Sequence, residues 1–150
     1  MSVREYELYH GAAILRLLAI AGDLQVTKLE KFGTGCYLLS GRIGCLIKYS
    51  TDRLTPWSFT FNEEHKQTIR KLEQSFSPLL VLLVCRMDGI VSLSGNDLWY
   101  LIGDQPGSAA IGVTRRPREM YQVSGPAGTL PRKLSEAAYA KELLNTLPSN

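Results

Sequence analysis

The residue whose position is most informative for chemistry is a lysine near the end of an apolar stretch. Lys48 follows Cys45, Leu46 and Ile47, and so uniform a run predicts a buried, central strand. A lysine in such a strand must extend to solvent, pair with a carboxylate or serve a site. Because the run is apolar at every position, the sequence leaves open which face Lys48 occupies, and a solvent-facing lysine is the alternative.

A second candidate is a group of positive charges in the C-terminal half. Between Gly112 and Lys133 there is one acid, Glu119, against five basic residues: Arg115, Arg116, Arg118, Arg132 and Lys133. Guanidinium groups are suited to bidentate phosphate contacts, which favours a polyanionic partner. The alternative is a solvated turn with internal salt bridges.

A third group follows Lys48 at the predicted exit of its strand. Trp57 is close enough in sequence to share a surface with the lysine, and Trp57 and Tyr121 could stack on exposed bases. Trp57 also begins an alternating strand, where tryptophan is commonly a core residue. The nucleic-acid-binding residues predicted from the sequence are Lys48, Ser50, Arg53, Trp57, Arg115, Arg116 and Arg118.

Metal and nucleophile patterns are sparse. Glu7 and His10 lie on nearly the same face of the predicted first helix, where they could share a proton or a metal, and a structural histidine is the alternative. Cys36, Cys45 and Cys85 lie in apolar stretches without a Cys-x-x-Cys pair, which predicts buried, reduced thiols. No dinucleotide, P-loop or Gly-x-Ser-x-Gly motif occurs, so those functions are unsupported.

Hydrophobic periodicity predicts the elements that must position these residues. The predicted helices span residues 4–21, from Asn62 as N-cap to about 76, from Asn96 or Asp97 to 102, and from Ser135 to about 147. The predicted strands are 26–32 (weak), a 36–40 and 43–50 hairpin, 57–61, 79–85, 90–93, 111–114 and 120–124. A helix between the strands beginning at Trp57 and Leu79 predicts a crossover, and hence an α/β fold (α+β is the alternative) with a central mixed sheet flanked by helices.

Length and composition are typical of one globular domain over residues 1–150, with 45% apolar and 21% charged residues. The net charge of +3 is too small to imply a polyanionic partner by itself. No apolar run approaches the ~20 residues that cross a bilayer. Acidic Glu5 and Glu7 precede the apolar N-terminal run, where a signal peptide would be basic. We therefore expect a cytoplasmic protein without membrane contact.

The order of elements can also be compared with known families. It has a helix with an acidic residue near its start, a hairpin whose second strand ends in Lys48, an aromatic strand, a helix, then Leu-Leu-Val-Leu-Leu-Val and an Asp-Gly-Ile-Val turn. From Arg4 to Ile102 this order resembles the PD-(D/E)xK, or restriction-endonuclease-like, superfamily. The resemblance implies a nuclease-type core in which Glu7 (or Glu5) is the acid of the first helix and Lys48 the lysine of the motif.

The metal site implied by the resemblance is incomplete. The acid expected two residues before Lys48 is replaced by Leu46, and the hairpin aspartate is missing because residues 37–40 contain no carboxylate. Mg²⁺ requires oxygen ligands, and Glu7 alone would hold it poorly. The candidates for displaced acids are Asp52, Glu63 and Glu64.

The sequence thus favours a protein that binds DNA or RNA through a nuclease-like core lacking a complete set of catalytic carboxylates. The enzymatic alternative is an active, magnesium-dependent nuclease that uses Glu7, Lys48 and displaced acids. The third alternative is a protein-interaction or regulatory module, including a homodimer formed through a sheet edge or the terminal helix. The apolar stripe of that helix consists of Ala137, Ala138, Leu143, Leu144 and Leu147.

Overall fold

A computed structural model describes residues 2–147 of the chain. The helices are α1 (Glu5–Ile20), α2 (Glu63–Ser75), α3 (Gly95–Ile102) and α4 (Ala138–Leu144), with a 3-10 turn at Glu30–Phe32. The strands are β1 (Val26–Lys28), β2 (Cys36–Leu39), β3 (Ile43–Ser50), β4 (Trp57–Phe61), β5 (Leu79–Cys85), β6 (Gly89–Ser94), β7 (Ala109–Thr114) and β8 (Gln122–Ser124). None of the described helices is both long and apolar enough to cross a membrane.

The main sheet has five strands in the order β1-β2-β3-β5-β6. Only β3 and β5 are parallel, with Lys48 opposite Leu83, and the other neighbours are antiparallel. Every residue of β5 is buried, as expected for a strand covered on both faces. Helices α1 and α4 pack on one face and α2 and α3 on the other, so the predicted α/β fold with a helix-flanked mixed sheet is confirmed.

The strand beginning at Trp57 lies in a second sheet. β4 pairs with β7, and β7 pairs with β8, all antiparallel. The prediction that α2 crosses over from β4 to β5 within one sheet was therefore wrong, because the parallel neighbour of β5 is β3. The alternating strand β4 buries Trp57, Phe59 and Phe61 against the main sheet instead of extending it.

The predicted N-cap residue is correct for one helix, α2, and wrong for two others, α3 and α4. The Asn62 carboxamide accepts a hydrogen bond from the His65 backbone N–H (2.8 Å), so the predicted cap of α2 is confirmed. The cap of α3 is Ser94 rather than Asn96 or Asp97. Helix α4 begins after Ala137, whose left-handed backbone (φ 52°) ends the preceding turn, and not after Ser135.

The two faces of the main sheet divide the side chains of β3. Cys45 and Ile47 pack with α1 and α4, whereas Leu46 packs with the second sheet. Lys48 follows Leu46 by two residues and therefore lies on the face of the second sheet and α2. This settles the facing that the apolar run left open.

The predicted core residues are largely in place. The three cysteines are free and buried, as predicted. The apolar stripe of α4 packs against its own sheet through Ala137, Ala140, Leu143 and Leu144, so it covers this chain's core and is not a free surface for a partner.

Candidate functional site

A cavity of about 490 Å³ lies beside the edge of β3, and Lys48 is part of its wall. The cavity is bordered by the start of α1, the loop before β2, the second half of β3 and the first turns of α2. Its lining residues are Tyr6, His10, Phe32, Gly33, Thr34, Cys36, Leu46, Ile47, Lys48, Tyr49, Glu64, His65 and Thr68.

The cavity exists because β2 stops pairing before β3 ends. Strand pairing between β2 and β3 extends to Cys36 opposite Leu46, and the Ile47 N–H then donates to the Gly35 carbonyl (2.8 Å). Gly35 has a positive φ of 91°, and a Cβ atom there would lie 2.7 Å from the Ile47 oxygen. Glycine thus lets the backbone approach β3 closely and turn away, which leaves the last residues of β3 open on that side.

The Lys48 amine is held without a carboxylate partner. Its Nζ donates to the Thr60 carbonyl, lies 3.3 Å from His65 Nδ1 and stands 4.3 Å above the ring centroid of Phe61. Among residues 2–147, no carboxylate oxygen forms a salt bridge with it. Burial lowers the pKa of Lys48 to about 8, since the charged form loses hydration.

His65 is a neutral neighbour of this amine. Its Nδ1 accepts a hydrogen bond from the Asn62 backbone N–H (3.2 Å) and faces Lys48, so the lone pair of that nitrogen points at two donors. Burial, and secondly the charge of Lys48, lower the pKa of His65 below its usual value of 6.5. The neutral imidazole therefore accepts a hydrogen bond from the Lys48 amine through Nδ1.

His10 has a structural environment. The ring is buried, and its Nδ1 lies 3.1 Å from the Tyr37 hydroxyl. Burial, and secondly the charge of Lys28, lower the pKa of His10. Glu7 does not reach the ring to share a metal, because its carboxylate accepts a hydrogen bond from the Arg4 N–H (3.1 Å) and caps α1. The structural alternative for His10 is the one that these contacts favour.

The predicted metal site is not assembled. Glu7 is absent from the cavity that Lys48 lines. Of the candidate displaced acids, Asp52 binds the Ser50 hydroxyl and the Ser58 N–H, and Glu63 accepts from the Gly107 N–H (2.7 Å). Glu64 alone lines the cavity. Within the described part of the chain, no three His, Cys, Asp or Glu residues lie close enough to share a metal ion.

A second site is formed by four loops at the end of the molecule where β3 and β5 finish. Arg53 and Arg86 border one depression together with Arg115, and Arg115 also borders a neighbouring depression with Arg116 and Lys133. We call this surface the basic end. Its basic residues are Arg53, Arg86, Arg115, Arg116, Arg118 and Lys133, and its acids are Asp52, Asp88 and Glu119.

Part of the positive charge at the basic end is already neutralised. Arg115 donates two hydrogen bonds to Asp88 (2.8 and 2.6 Å), and the Tyr121 hydroxyl donates a third (2.6 Å). The Arg115 and Tyr121 hydrogen bonds hold the pKa of Asp88 below its usual value. Lys133 lies 3.5 Å from Glu119. For Arg115 and Lys133, the alternative of internal salt bridges is the correct one.

The remaining arginines are available to a ligand. Arg53, Arg116 and Arg118 are exposed, and within residues 2–147 none of them forms a salt bridge. Arg86 donates to the Thr51 carbonyl (2.9 Å), which orients its guanidinium without neutralising it. Arg86 was not predicted, because it follows an apolar strand and joins the arginines of distant loops only in the folded chain.

Three residues predicted at the surface are buried. Trp57 and Tyr121 are each 4% exposed and belong to the core beneath the second sheet, so neither can stack on a base. Ser50 is 5% exposed, and its hydroxyl donates to Asp52 (2.9 Å). The alternation of Trp57, Phe59 and Phe61 already carried the signal for burial, since it places all three on one face of the strand.

Lys48 and the basic end are separate sites. The Lys48 cavity and the two depressions at the basic end share no lining residue. The structure therefore separates Lys48 from the arginines that the sequence grouped with it as nucleic-acid-binding residues. The start of α1 does border the Lys48 cavity through Tyr6, and Glu5 accepts a hydrogen bond from the Tyr49 hydroxyl in the same wall (3.3 Å). Lys48 points under the second sheet toward α2, whereas the arginines extend from loops beyond the ends of the strands.

Comparison of the chain with protein-family models, with curated proteins and with solved structures found no match. Both sites therefore have to be interpreted from their own chemistry.

Proposed function

We propose that this protein binds nucleic acid at the basic end, through the phosphate backbone, without cleaving it. The observation that carries the proposal is that Arg53 and Arg116, from two loops, border neighbouring depressions at one end of the molecule. Arg118 follows Arg116 by two residues in the same loop, and all three arginines are exposed and, among residues 2–147, form no salt bridge. Arginines so placed bind phosphates with two parallel hydrogen bonds each. Contacts of this kind position a nucleic acid without reading its sequence.

The surroundings of these arginines add contact area. Leu54, Met87 and Met120 are exposed at the same end, which places apolar side chains between the cations. Apolar side chains pack against sugars and base edges that a phosphate-bound strand brings close. The Asp88–Arg115 pair neutralises the arginine next to Arg116, so Arg53, Arg116 and Arg118 supply the free positive charge at this end.

A nuclease-like core remains part of the proposal. It is supported by the main sheet, in which α1 is followed by three antiparallel strands with Lys48 on the third, and α2 is followed by β5 parallel to that strand. Strand β4, between β3 and α2, belongs to the second sheet. The absence of a carboxylate cluster among the described residues favours binding over hydrolysis. In this proposal a bound strand is held and not cut, whether Mg²⁺ is present or absent.

The proposal is tested by fluorescence anisotropy with labelled duplex DNA, single-stranded DNA and RNA of one sequence. Three phosphate contacts give a slope of about −2.7 in log affinity against log salt, or a loss of about 40-fold between 50 and 200 mM salt for duplex DNA. Replacing Arg116 and Arg118 by glutamine leaves one contact and reduces that loss to about fourfold.

The matched control removes two charges at the other end of the molecule. Arg42 precedes β3, and Lys71 is an exposed residue in the half of α2 that ends near Gly44. The double variant Arg42→Gln, Lys71→Gln has the same net charge as Arg116→Gln, Arg118→Gln. If the two variants lose affinity equally, or if no probe binds at 50 mM salt, the proposal is wrong.

A further inference from the structure

The Lys48 cavity has no role in the binding proposed above. Its wall contains no arginine and shares no residue with either depression at the basic end. Its volume of about 490 Å³ suits a small molecule rather than a polymer. Aromatic side chains of Tyr6, Phe32 and Tyr49 form part of the wall, and Thr34 and Thr68 provide hydroxyls.

The positive charge of the Lys48 amine is not paired with a carboxylate in the cavity wall. Of the titratable groups that line the cavity, α1 contributes Tyr6 and His10, β2 contributes Cys36, β3 contributes Tyr49, and α2 contributes Glu64 and His65. Glu64 is the one carboxylate in that wall, and it forms no salt bridge with Lys48. Burial raises the pKa of the Cys36 thiol to about 11, which leaves it protonated and unreactive at neutral pH.

Lys66, the buried lysine of α2, has the contacts expected of an amine with a structural role, and it can be compared with Lys48. Lys66 is 1% exposed, and its Nζ donates to the carbonyls of Gln105 (2.7 Å) and Gly107 (2.9 Å), with Glu63 at 3.9 Å. That amine ties α2 to a loop and lines none of the cavities described above. Lys48, in contrast, has a neutral imidazole and a carbonyl as neighbours and borders open space.

We propose that Lys48 is a nucleophilic amine and that this cavity binds a small polar aldehyde or ketone as an imine on Nζ. The lone pair of the neutral amine attacks the carbonyl carbon, and the C=O π pair moves to oxygen, which is protonated to give a carbinolamine. His65 Nδ1, 3.3 Å from Nζ, accepts the proton that the nitrogen loses. The His65 imidazolium returns that proton to the carbinolamine hydroxyl, the C–O bond breaks, water leaves, and the nitrogen lone pair forms C=N. Solvent supplies the proton that the oxygen first takes, so the reaction needs no oxidant or reductant.

The immediate surroundings of Nζ also suit the product. A protonated imine keeps one N–H, which can donate to the Thr60 carbonyl that now accepts from the ammonium. Its positive charge stays above the Phe61 ring, where the ammonium lies 4.3 Å from the centroid. The Thr60 carbonyl and the Phe61 ring thus offset part of the lost hydration of a cation on this nitrogen, before and after the carbon bond forms.

The test is reductive alkylation of the whole protein with limiting propanal and cyanoborohydride, followed by peptide mass mapping. At pH 7, about one Lys48 amine in eleven is neutral, against about one in three thousand for an ordinary lysine. A less basic amine is also less nucleophilic, and a Brønsted slope of about 0.45, taken from thiols, reduces this advantage to about twentyfold. We expect Lys48 to be alkylated about twentyfold faster than the exposed lysines of the same molecule.

The exposed Lys31, Lys71 and Lys141 are internal controls, so no variant has to fold for the result to be read. The Lys48 rate should stop rising above about pH 8, whereas the control rates keep rising toward pH 10. His65→Gln should lower the alkylation rate of Lys48 and leave the alkylation rate of Lys71 unchanged. Alkylation of Lys48 at or below the rate of Lys71, or a Lys48 rate that rises in parallel with the controls to pH 10, overturns the proposal. The result is independent of nucleic-acid binding.

Discussion

Two neighbouring glycines beside the Lys48 cavity give a sharp test of how the edge of β3 is built. Gly33 and Gly35 both have positive φ, 107° and 91°. They differ in what a side chain would meet. A Cβ at Gly33 has no atom within 4 Å, whereas a Cβ at Gly35 lies 2.7 Å from the Ile47 backbone oxygen and 3.4 Å from His10 Cε1. Alanine at either position is strained by the positive φ, but only alanine at position 35 also meets a steric clash.

The expected losses of stability differ by the cost of that clash. A side chain at the positive φ and extended ψ of Gly33 (107° and −179°) costs about 1–3 kcal/mol, which is the whole expected effect of Gly33→Ala. Gly35→Ala has a similar cost at its positive φ plus about 1–3 kcal/mol for displacing a backbone carbonyl that cannot rotate away. The predicted destabilisation is about 1–3 kcal/mol for the first variant and about 2–6 kcal/mol for the second.

The measurement is urea unfolding followed by tryptophan fluorescence, with thermal melts as a second readout. For a chain of this size, each 1 kcal/mol lowers Tm by about 2–4 °C, so Gly35→Ala should melt several degrees below Gly33→Ala. Equal losses in the two variants would refute the reasoning, because they would mean that β3 yields to the added atom without cost.

Four further outcomes are expected. Lys48 has a pKa of about 8 in the folded chain and 10.5 in the unfolded chain, so the unfolded chain binds more protons between these two pH values. The stability of the wild-type protein therefore rises with pH in this range. In urea titrations, the stability of Lys48→Met relative to wild type should fall from pH 7 to pH 10. Tyr121→Phe removes a part-buried hydrogen bond to Asp88 and should cost about 1–2 kcal/mol of unfolding free energy. Asp88→Asn releases Arg115 and should tighten oligonucleotide binding about fivefold at 50 mM salt, even as Tm falls. Incubation with DNA or RNA and Mg²⁺ or Mn²⁺ should give no Lys48-dependent cleavage, and chelators should leave the anisotropy of the bound oligonucleotide unchanged. Cleavage by the wild-type protein that disappears in Lys48→Ala would instead establish the nuclease alternative.

The sequence by itself determined most of the elements, because their signals are local. The unbroken apolar run at Leu79–Cys85 predicts a strand buried on both faces, and it is one. The Asn62 side chain marks the start of α2, since a cap needs only the next three residues. Buried, unpaired cysteines followed equally from their apolar neighbours.

Only the tertiary structure decided where the strands go and what the charged residues contact. The sequence could not reveal that β4 leaves the main sheet, because an alternating strand buries one face equally well against any partner. It also could not separate Arg115, neutralised by Asp88 27 residues away, from Arg116 and Arg118, which stay free. Periodicity and helix caps can be read from neighbouring residues in the sequence. An ion pair, a cavity wall or a cluster of loops depends on residues that are far apart in the sequence and become neighbours only when the chain folds.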